Sequence, residues 1–182
     1  MVIKIGIFKF NTSVFDSMFD AMFNTEMTGK EHGFDLCINH RDNIIYPENY
    51  CSGTECEIKL KNKCKDERDK VVGNFHTHPN KIEFPSFGDL TNAYYEKIVC
   101  IGNDNINCFI RKTPYDSKIH KEIYINHGKY EPEDESLEKY IDKTKHRDGL
   151  VKTIKEYFDI YGVDLNKYTK EIEISNRHIK KR

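Results

Sequence analysis

The segment Gly73-Asn74-Phe75-His76-Thr77-His78-Pro79 places two histidines one residue apart at the end of a hydrophobic run. The run begins at Lys70 and includes two valines and a phenylalanine, which is typical of a β-strand. Alternate side chains of a strand point to the same face, so His76 and His78 are expected to point the same way. Two imidazoles with this common direction could share one metal ion.

A carboxylate that could join these histidines follows a short loop. Pro79 ends the strand, residues 80–85 form the loop, and Ser86-Phe87-Gly88-Asp89 opens a helix predicted over 89–97. The loop is long enough for Asp89 to return over the histidines, and two His with one carboxylate and a water is the ligand set of a catalytic zinc site. Ser86 and Asp89 are equally typical of a helix N-cap and its third-position acid, which need no metal.

The joint pattern of His76-Thr77-His78-Pro79, Ser86 and Asp89 resembles the core motif of the JAMM (MPN+) metalloprotease family, in particular its small prokaryotic or archaeal-type members. That family also uses a glutamate at the start of an upstream strand. Glu31, in Glu31-His32-Gly33-Phe34-Asp35-Leu36, stands at the matching position.

The resemblance implies a zinc-dependent hydrolase that cleaves peptide or isopeptide bonds at the C-terminus of a ubiquitin-like or sulfur-carrier protein. By the same resemblance, His76, His78 and Asp89 would hold Zn²⁺. Glu31 would act as general base, and Ser86 would donate to the tetrahedral oxyanion. In some relatives an insertion between the glutamate and the two histidines grips the distal ubiquitin-like protein. Residues 41–69 occupy that place in this chain.

Two other functions fit the same residues. One is a catalytically silent scaffold with the MPN fold, although such relatives lose the ligands that this chain keeps. The other is a zinc-stabilised module that binds a protein or nucleic acid through its cysteines and its basic C-terminal tail, Lys180-Lys181-Arg182. A basic tail of this kind is more often a solvated terminus, so nucleic acid is not the expected partner.

The hydrophobic pattern predicts an α+β fold. Strands are expected over 1–10 and 31–40, separated by an amphipathic helix capped at Asn11-Thr12-Ser13 and ended by Gly29. Further strands are expected at 44–46 (or a loop there), 55–60, 70–75, 98–102, 106–111 and 122–125, and irregular segments at 47–53, 62–69 and 113–120. This order favours an α/β/α sandwich with helices flanking a mixed, curved sheet. The cytidine-deaminase-like core of the JAMM family is of this kind.

The chain divides into a predicted JAMM-like metalloprotease domain at 1–128, which the resemblance covers, and a charged, helical C-terminal extension at 129–182. Within the extension, residues 130–136 are acidic and indicate a linker, and apolar residues recur at helical spacing over 137–161. They predict either one helix broken at Gly149 or two short helices. A short strand is expected at 171–174.

Composition indicates a cytoplasmic protein. The net charge of −1 over 182 residues provides no overall field that would attract nucleic acid or an anionic membrane. The first ten residues are interrupted by Lys4 and Lys9 and do not resemble a signal peptide. No segment approaches the roughly 20 apolar residues of a membrane helix.

The chain contains six cysteines: Cys37, Cys51, Cys56, Cys64, Cys100 and Cys108. In a reducing cytosol we expect them to remain thiols rather than to form disulfides. The last two lie in apolar runs and are expected to be small core residues. Cys51, Cys56 and Cys64 lie close together in a polar stretch, which we expect to be a chance clustering. The alternatives are a structural metal site completed by His40, or a disulfide, in that stretch.

Overall fold

The structure is a computed structural model that describes residues 1–55, 57–80, 85–127 and 143–164. These residues form eight strands and four helices. In chain order they are β1 (Val2–Ile5), β2 (Phe8–Asn11), α1 (Thr12–Thr28), β3 (His32–Ile38), β4 (Ile44–Ser52), β5 (Lys70–Thr77), α2 (Phe87–Glu96), β6 (Ile98–Gly102), β7 (Ile106–Arg111), α3 (Ser117–His127), α4 (Lys143–Tyr157) and β8 (Phe158–Val163). Within the described ranges, no helix combines the length and the apolar character needed to cross a bilayer.

All eight strands belong to one sheet, in the order β1-β2-β4-β3-β5-β6-β7-β8. The pairs β2–β4 and β5–β6 are parallel, and the other neighbours are antiparallel. The sheet is therefore mixed, and it curves strongly towards a barrel. This arrangement confirms the predicted α+β class.

Hydrophobic cores lie on both faces of this sheet. The first packs α1 against the strands, and the second packs α2, α3 and α4 against the opposite face. Strand β6 shows how one sequence serves both, because Ile98 and Cys100 enter the first core while Val99 and Ile101 enter the second. Such a continuous apolar run is typical of a strand covered on both faces.

The first helix begins and ends where the sequence predicts. The side chain of Asn11 accepts a hydrogen bond from the backbone N–H of Ser13, and Gly29 ends the helix at φ 66°, a left-handed conformation that glycine adopts without strain. The apolar face of this amphipathic helix is not buried along its whole length, because Val14, Phe15 and Met18 are buried whereas Phe23 is 63% exposed.

Three sequence predictions before the histidines are wrong. Residues 1–10 form a hairpin rather than one strand, because the chain reverses at Gly6, whose φ is 57°. The predicted irregular segment 47–53 continues β4 as far as Ser52, since that strand pairs with β3 along its length. The predicted strand at 55–60 is absent from the described residues of that segment.

The region after β7 is largely helical where a loop and a strand are predicted. Helix α3 begins at Ser117, so residues 113–116 are irregular as predicted, whereas 117–120 and the predicted strand at 122–125 are helical. Ile119 and Ile123, four residues apart, pack on one face of α3 against the second core. This spacing is helical, and the short apolar run at 122–125 is not a strand.

The C-terminal extension contributes to the same sheet. Helix α4 runs through Gly149 without a break, contrary to prediction, and β8 pairs antiparallel with β7. The division at residue 128 stays a prediction. The predicted linker at 130–136, the strand at 171–174 and the basic tail at 180–182 lie outside the described residues.

The prediction that the cysteines remain thiols is wrong. Disulfides join Cys37 to Cys64 and Cys100 to Cys108, with S–S distances of 2.07 and 2.02 Å. The second pair lies in the core as expected, but its members face each other across β6 and β7 and are bonded. Among the described cysteines, Cys51 is free, and Cys56 lies outside them. The thiol prediction followed from the expected cytoplasmic location, and that location stays a prediction.

Candidate metal centre

His76 lies near the end of β5 and His78 directly follows the strand, and the two side chains point to the same side, as predicted. Strand β5 lies in the middle of the sheet, between β3 and β6, which makes its end a rigid support. The backbone N–H of His78 donates to the carbonyl of Gly102 at 2.9 Å, so pairing with β6 continues past the last strand residue. The intervening Thr77 is 1% exposed and bonds the backbone of His32, which confirms that it points away from the histidines.

Helix α2 brings Asp89 to the histidines through its N-terminal cap. The backbone N–H of Ser86 donates to Asp89 Oδ2 at 2.7 Å, and the N–H of Asp89 donates to Ser86 Oγ at 3.1 Å. This reciprocal pair is a capping box, so the helix-cap interpretation of these residues is correct. The cap also fixes the Asp89 carboxylate, so it does not compete with metal binding.

Three side chains converge on one point. His76 Nε2 lies 3.2 Å from His78 Nε2 and 3.2 Å from Asp89 Oδ1, and His78 Nε2 lies 3.6 Å from Asp89 Oδ2. A tetrahedral ion with bonds of about 2.05 Å separates its ligands by roughly 3.3 Å. The spacing therefore fits a small tetrahedral cation bound by His76, His78 and Asp89, whose ligand atoms all lie within 4.8 Å of one another. We call these three residues the metal cluster.

The same residues are electrostatically coupled. Burial by itself would raise the pKa of Asp89, but the charges and hydrogen bonds of His76 and His78 outweigh it and hold that pKa far below its ordinary value. Burial would lower the pKa of His76, and Asp89 and Glu31 raise it instead. An ionised carboxylate beside imidazoles provides a local negative charge that a bound cation would neutralise.

Glu31 lies beside the metal cluster, as predicted. Strands β3 and β5 pair with Gly33 opposite His76, so the residue two positions earlier falls opposite His78 and on its face. Glu31 is 7% exposed. Burial raises its pKa, and the charges of His76 and His78 oppose that rise. A raised pKa suits a carboxylate that must take up and release a proton near neutral pH.

The close approach of β3 to His76 depends on Gly33. A Cβ at that position would lie 2.9 Å from the Cβ of His76 and 2.4 Å from the carbonyl oxygen of Phe75. A larger residue would therefore push β3 away from the end of β5. The packing of β3 against β5 therefore requires glycine at position 33, two residues after Glu31.

A cavity of about 200 Å³ opens beside the metal cluster. Apart from His76 and Asp89, its wall consists of Asp35, Ile58, Leu60, Asn62, Asn74, Asn92 and Glu96. Two of these residues, Asn74 and Glu96, were not predicted from the sequence. Both had a signal: Asn74 is two residues before His76 on the same strand face, and Glu96 is two helical turns after Asp89.

A second group of possible ligands consists of His40, Asp66 and Asp69, on the surface between β3 and β5. The sequence analysis considered His40 as the fourth member of a cysteine metal site. The structure does not support that site, because Cys64 is bonded to Cys37 and His40 bonds Asp69.

No family model matches the chain, and no curated protein is significantly similar to it. The residues of the metal cluster and their geometry are therefore the basis for any functional conclusion.

Proposed function

We propose that the chain is a zinc-dependent hydrolase of peptide or isopeptide bonds. The observation that carries the proposal is the convergence of His76, His78 and Asp89 at tetrahedral ligand spacing, with the buried carboxylate of Glu31 beside them. The donor set of two imidazoles and one carboxylate leaves a fourth position for water, as in catalytic zinc sites. The resemblance of these residues to the JAMM motif supports the same reaction class and a cytidine-deaminase-like core.

In this mechanism zinc, when bound, would lower the pKa of a coordinated water towards about 7 and polarise the substrate carbonyl. Glu31 accepts a proton from the attacking water as a C–O bond forms at the carbonyl carbon. It then delivers that proton to the amine nitrogen as the C–N bond breaks. Ser86 would donate its hydroxyl hydrogen to the oxyanion; its Oγ accepts from the backbone N–H of Asp89, a bond that fixes the oxygen and does not use its O–H.

The substrate that we propose is the C-terminal tail of a ubiquitin-like or sulfur-carrier protein, in peptide or isopeptide linkage. The support is the sequence resemblance together with the position of the segment after β4. That segment contributes Ile58, Leu60 and Asn62 to the wall of the cavity beside the metal cluster. A substrate that entered the site would therefore contact residues of the 41–69 insertion.

The test compares Glu31→Gln with Glu26→Gln on ubiquitin-like fusions and isopeptide conjugates, with and without a chelator. Glu26 is an exposed carboxylate on α1, outside the 41–69 insertion, so it is the control for removal of one negative charge. We expect Glu31→Gln to bind one zinc per chain and to lose about 10²–10⁴ in rate, the usual contribution of a general base. The control should cleave as well as the wild type.

Each contrary result has a distinct meaning. Full activity of Glu31→Gln would remove Glu31 from the mechanism. Zinc binding with no cleavage of any conjugate by the wild type would favour the silent scaffold or the zinc-stabilised module. Cleavage that persists after the metal has been removed would overturn the proposal.

A further inference from the structure

His76, the innermost ligand of the metal cluster, contacts Asn74 through the ring nitrogen that points away from the cluster. His76 is 4% exposed, and while its Nε2 points to His78 and Asp89, its Nδ1 lies 3.0 Å from Oδ1 of Asn74. Asn74 is itself buried, at 7% exposure. Both residues stand on β5 and project from the same face, so the strand sets their distance.

This contact decides which imidazole nitrogen carries the hydrogen. A carbonyl oxygen can only accept, so Nδ1 of His76 must donate to Asn74 Oδ1 and must be protonated. In the neutral ring Nε2 then has the free lone pair, and Nε2 is the atom that points into the metal cluster. The opposite tautomer would place a hydrogen where a metal ion has to bind.

The Asn74 amide could in principle turn over and present its NH₂ group to His76, but Glu96 opposes this. Its carboxyl group hydrogen-bonds the Asn74 side chain, and although burial raises the pKa of Glu96 to about 7, the oxygen that contacts Asn74 can accept in the ionised form and, with the proton on Oε2, in the neutral form as well. The amide NH₂ therefore faces Glu96, and the carbonyl faces His76. The other carboxylate oxygen, Oε2, is buried and has no hydrogen-bond partner among the described residues, so the group is held inside the protein at a cost in solvation.

We propose that Asn74 and Glu96 are positioning residues that fix the tautomer and the ring orientation of His76 for metal binding, with Glu96 acting through Asn74. This inference rests on the proposed function only in taking His76 as a metal ligand. Hydrogen-bonded partners behind a ligating histidine commonly contribute 10–100-fold to metal affinity.

The experiment measures zinc affinity of the full chain by competition with a chromophoric chelator, and records the visible spectrum of the Co²⁺-substituted protein. We expect Asn74→Ala to weaken zinc binding 10–100-fold and to change the Co²⁺ bands, which report ligand geometry. Asn92→Ala is the matched control, because Asn92 lines the same cavity but is exposed. It should bind zinc as the wild type does. The melting temperature of each metal-free variant shows that it is folded.

A double variant separates a positioning role from a merely structural one. Asn74→Asp combined with Glu96→Gln exchanges the amide and the carboxylate, so position 74 still accepts from Nδ1 and the NH₂ group now comes from position 96. We expect it to recover zinc affinity to within about threefold of the wild type, by the donor and acceptor inventory of these side chains. Asn74→Asp alone should bind more weakly than the double variant, because it places two carboxylates together.

The outcomes distinguish this inference from the function on which it rests. If His76→Ala binds zinc as tightly as the wild type, the proposed metal site itself fails. If His76→Ala loses zinc while Asn74→Ala keeps wild-type affinity and an unchanged Co²⁺ spectrum, only the positioning role is overturned. If Asn74→Ala binds weakly and the double variant does not recover, Glu96 has no part in it.

Discussion

Two groups of histidine and aspartate side chains bring their ligand atoms within 4.8 Å of one another, and they are built differently. One is the metal cluster. The other, His40, Asp66 and Asp69, we call the anchor cluster. In the anchor cluster Asp69 Oδ1 lies 2.6 Å from His40 Nδ1, and Asp69 Oδ2 accepts from the Tyr46 hydroxyl at 2.6 Å. Both oxygens are therefore already engaged by protein donors.

The remaining carboxylate of the anchor cluster is engaged as well. Arg68 donates to both oxygens of Asp66, at 3.0 and 2.7 Å. A cation that entered this group would have to displace a guanidinium, an imidazole and a phenol. In the metal cluster, by contrast, no arginine or tyrosine in the described part of the chain bonds the carboxylate: apart from the backbone N–H of Ser86, the Asp89 oxygens face the two imidazole nitrogens of the cluster itself. Ligand residues that lie close together therefore indicate a metal site only weakly when side chains from outside the group already bond their carboxylates.

The anchor cluster has a structural task instead. Together with the Cys37–Cys64 disulfide, it ties the long connection between β4 and β5 to the sheet. That connection also bonds Asp35 through the backbone N–H of Asn62. Because Ile58, Leu60 and Asn62 belong to the cavity wall, the anchor supports the metal cluster from a distance.

The largest difference that we expect between the clusters is in zinc content. His76→Ala should lower the zinc bound per chain from one to nearly zero, because two remaining ligands seldom hold a tetrahedral ion. His40→Ala should leave it at one. Elemental analysis after dialysis against a weak chelator measures both. The reverse result, with zinc lost in the His40 variant and kept in the His76 variant, would exchange the roles of the two groups.

The second expected effect is on stability. Cys64→Ser opens a bond between residues 27 positions apart, which should lower the free energy of unfolding by about 3–4 kcal/mol on the chain-entropy account. Cys51→Ser is the control, because Cys51 is a free cysteine. Urea titration under non-reducing conditions measures both variants. Equal unfolding midpoints would show that the disulfide does not hold the connection.

Much of the sheet could be predicted because its strands alternate cleanly and are separated by turn residues. Strands β6 and β7 match the predicted bounds, and Asn103-Asp104-Asn105 forms the turn between them. The hairpin register then places Cys100 opposite Cys108, so this disulfide could have been predicted from the sequence. The Cys37–Cys64 bond could not, because it depends on where the connection between β4 and β5, whose described residues have no regular secondary structure, lies against β3.

The metal cluster was predictable for a similar reason, since strand periodicity fixes His76 against His78 and a helix cap fixes Asp89. The sequence could not show how the cluster is supported. Whether Asn74 faces His76 or solvent depends on α2 covering that face of β5. Helix α3 was not predicted because the four-residue spacing of Ile119 and Ile123 indicates a helix only when both are known to pack against the second core.

The smallest expected effect concerns the pH dependence of the anchor cluster. Hydrogen bonds from Tyr46 and His40 lower the pKa of Asp69 below its ordinary value of 3.8. A carboxylate with a depressed folded-state pKa adds stability above its unfolded pKa and loses it as the pH falls through the folded value. Asp69→Asn should therefore be less stable than the wild type at pH 6, and the difference in stability should narrow from about pH 4 downward.

Arg68 also lowers the pKa of Asp66, but Asp66 is present in both proteins, so its contribution to the difference largely cancels. Thermal unfolding of the pair from pH 6 to pH 2.5 measures the difference. A difference that stays constant over this range would mean that the charge of Asp69 does not contribute to stability.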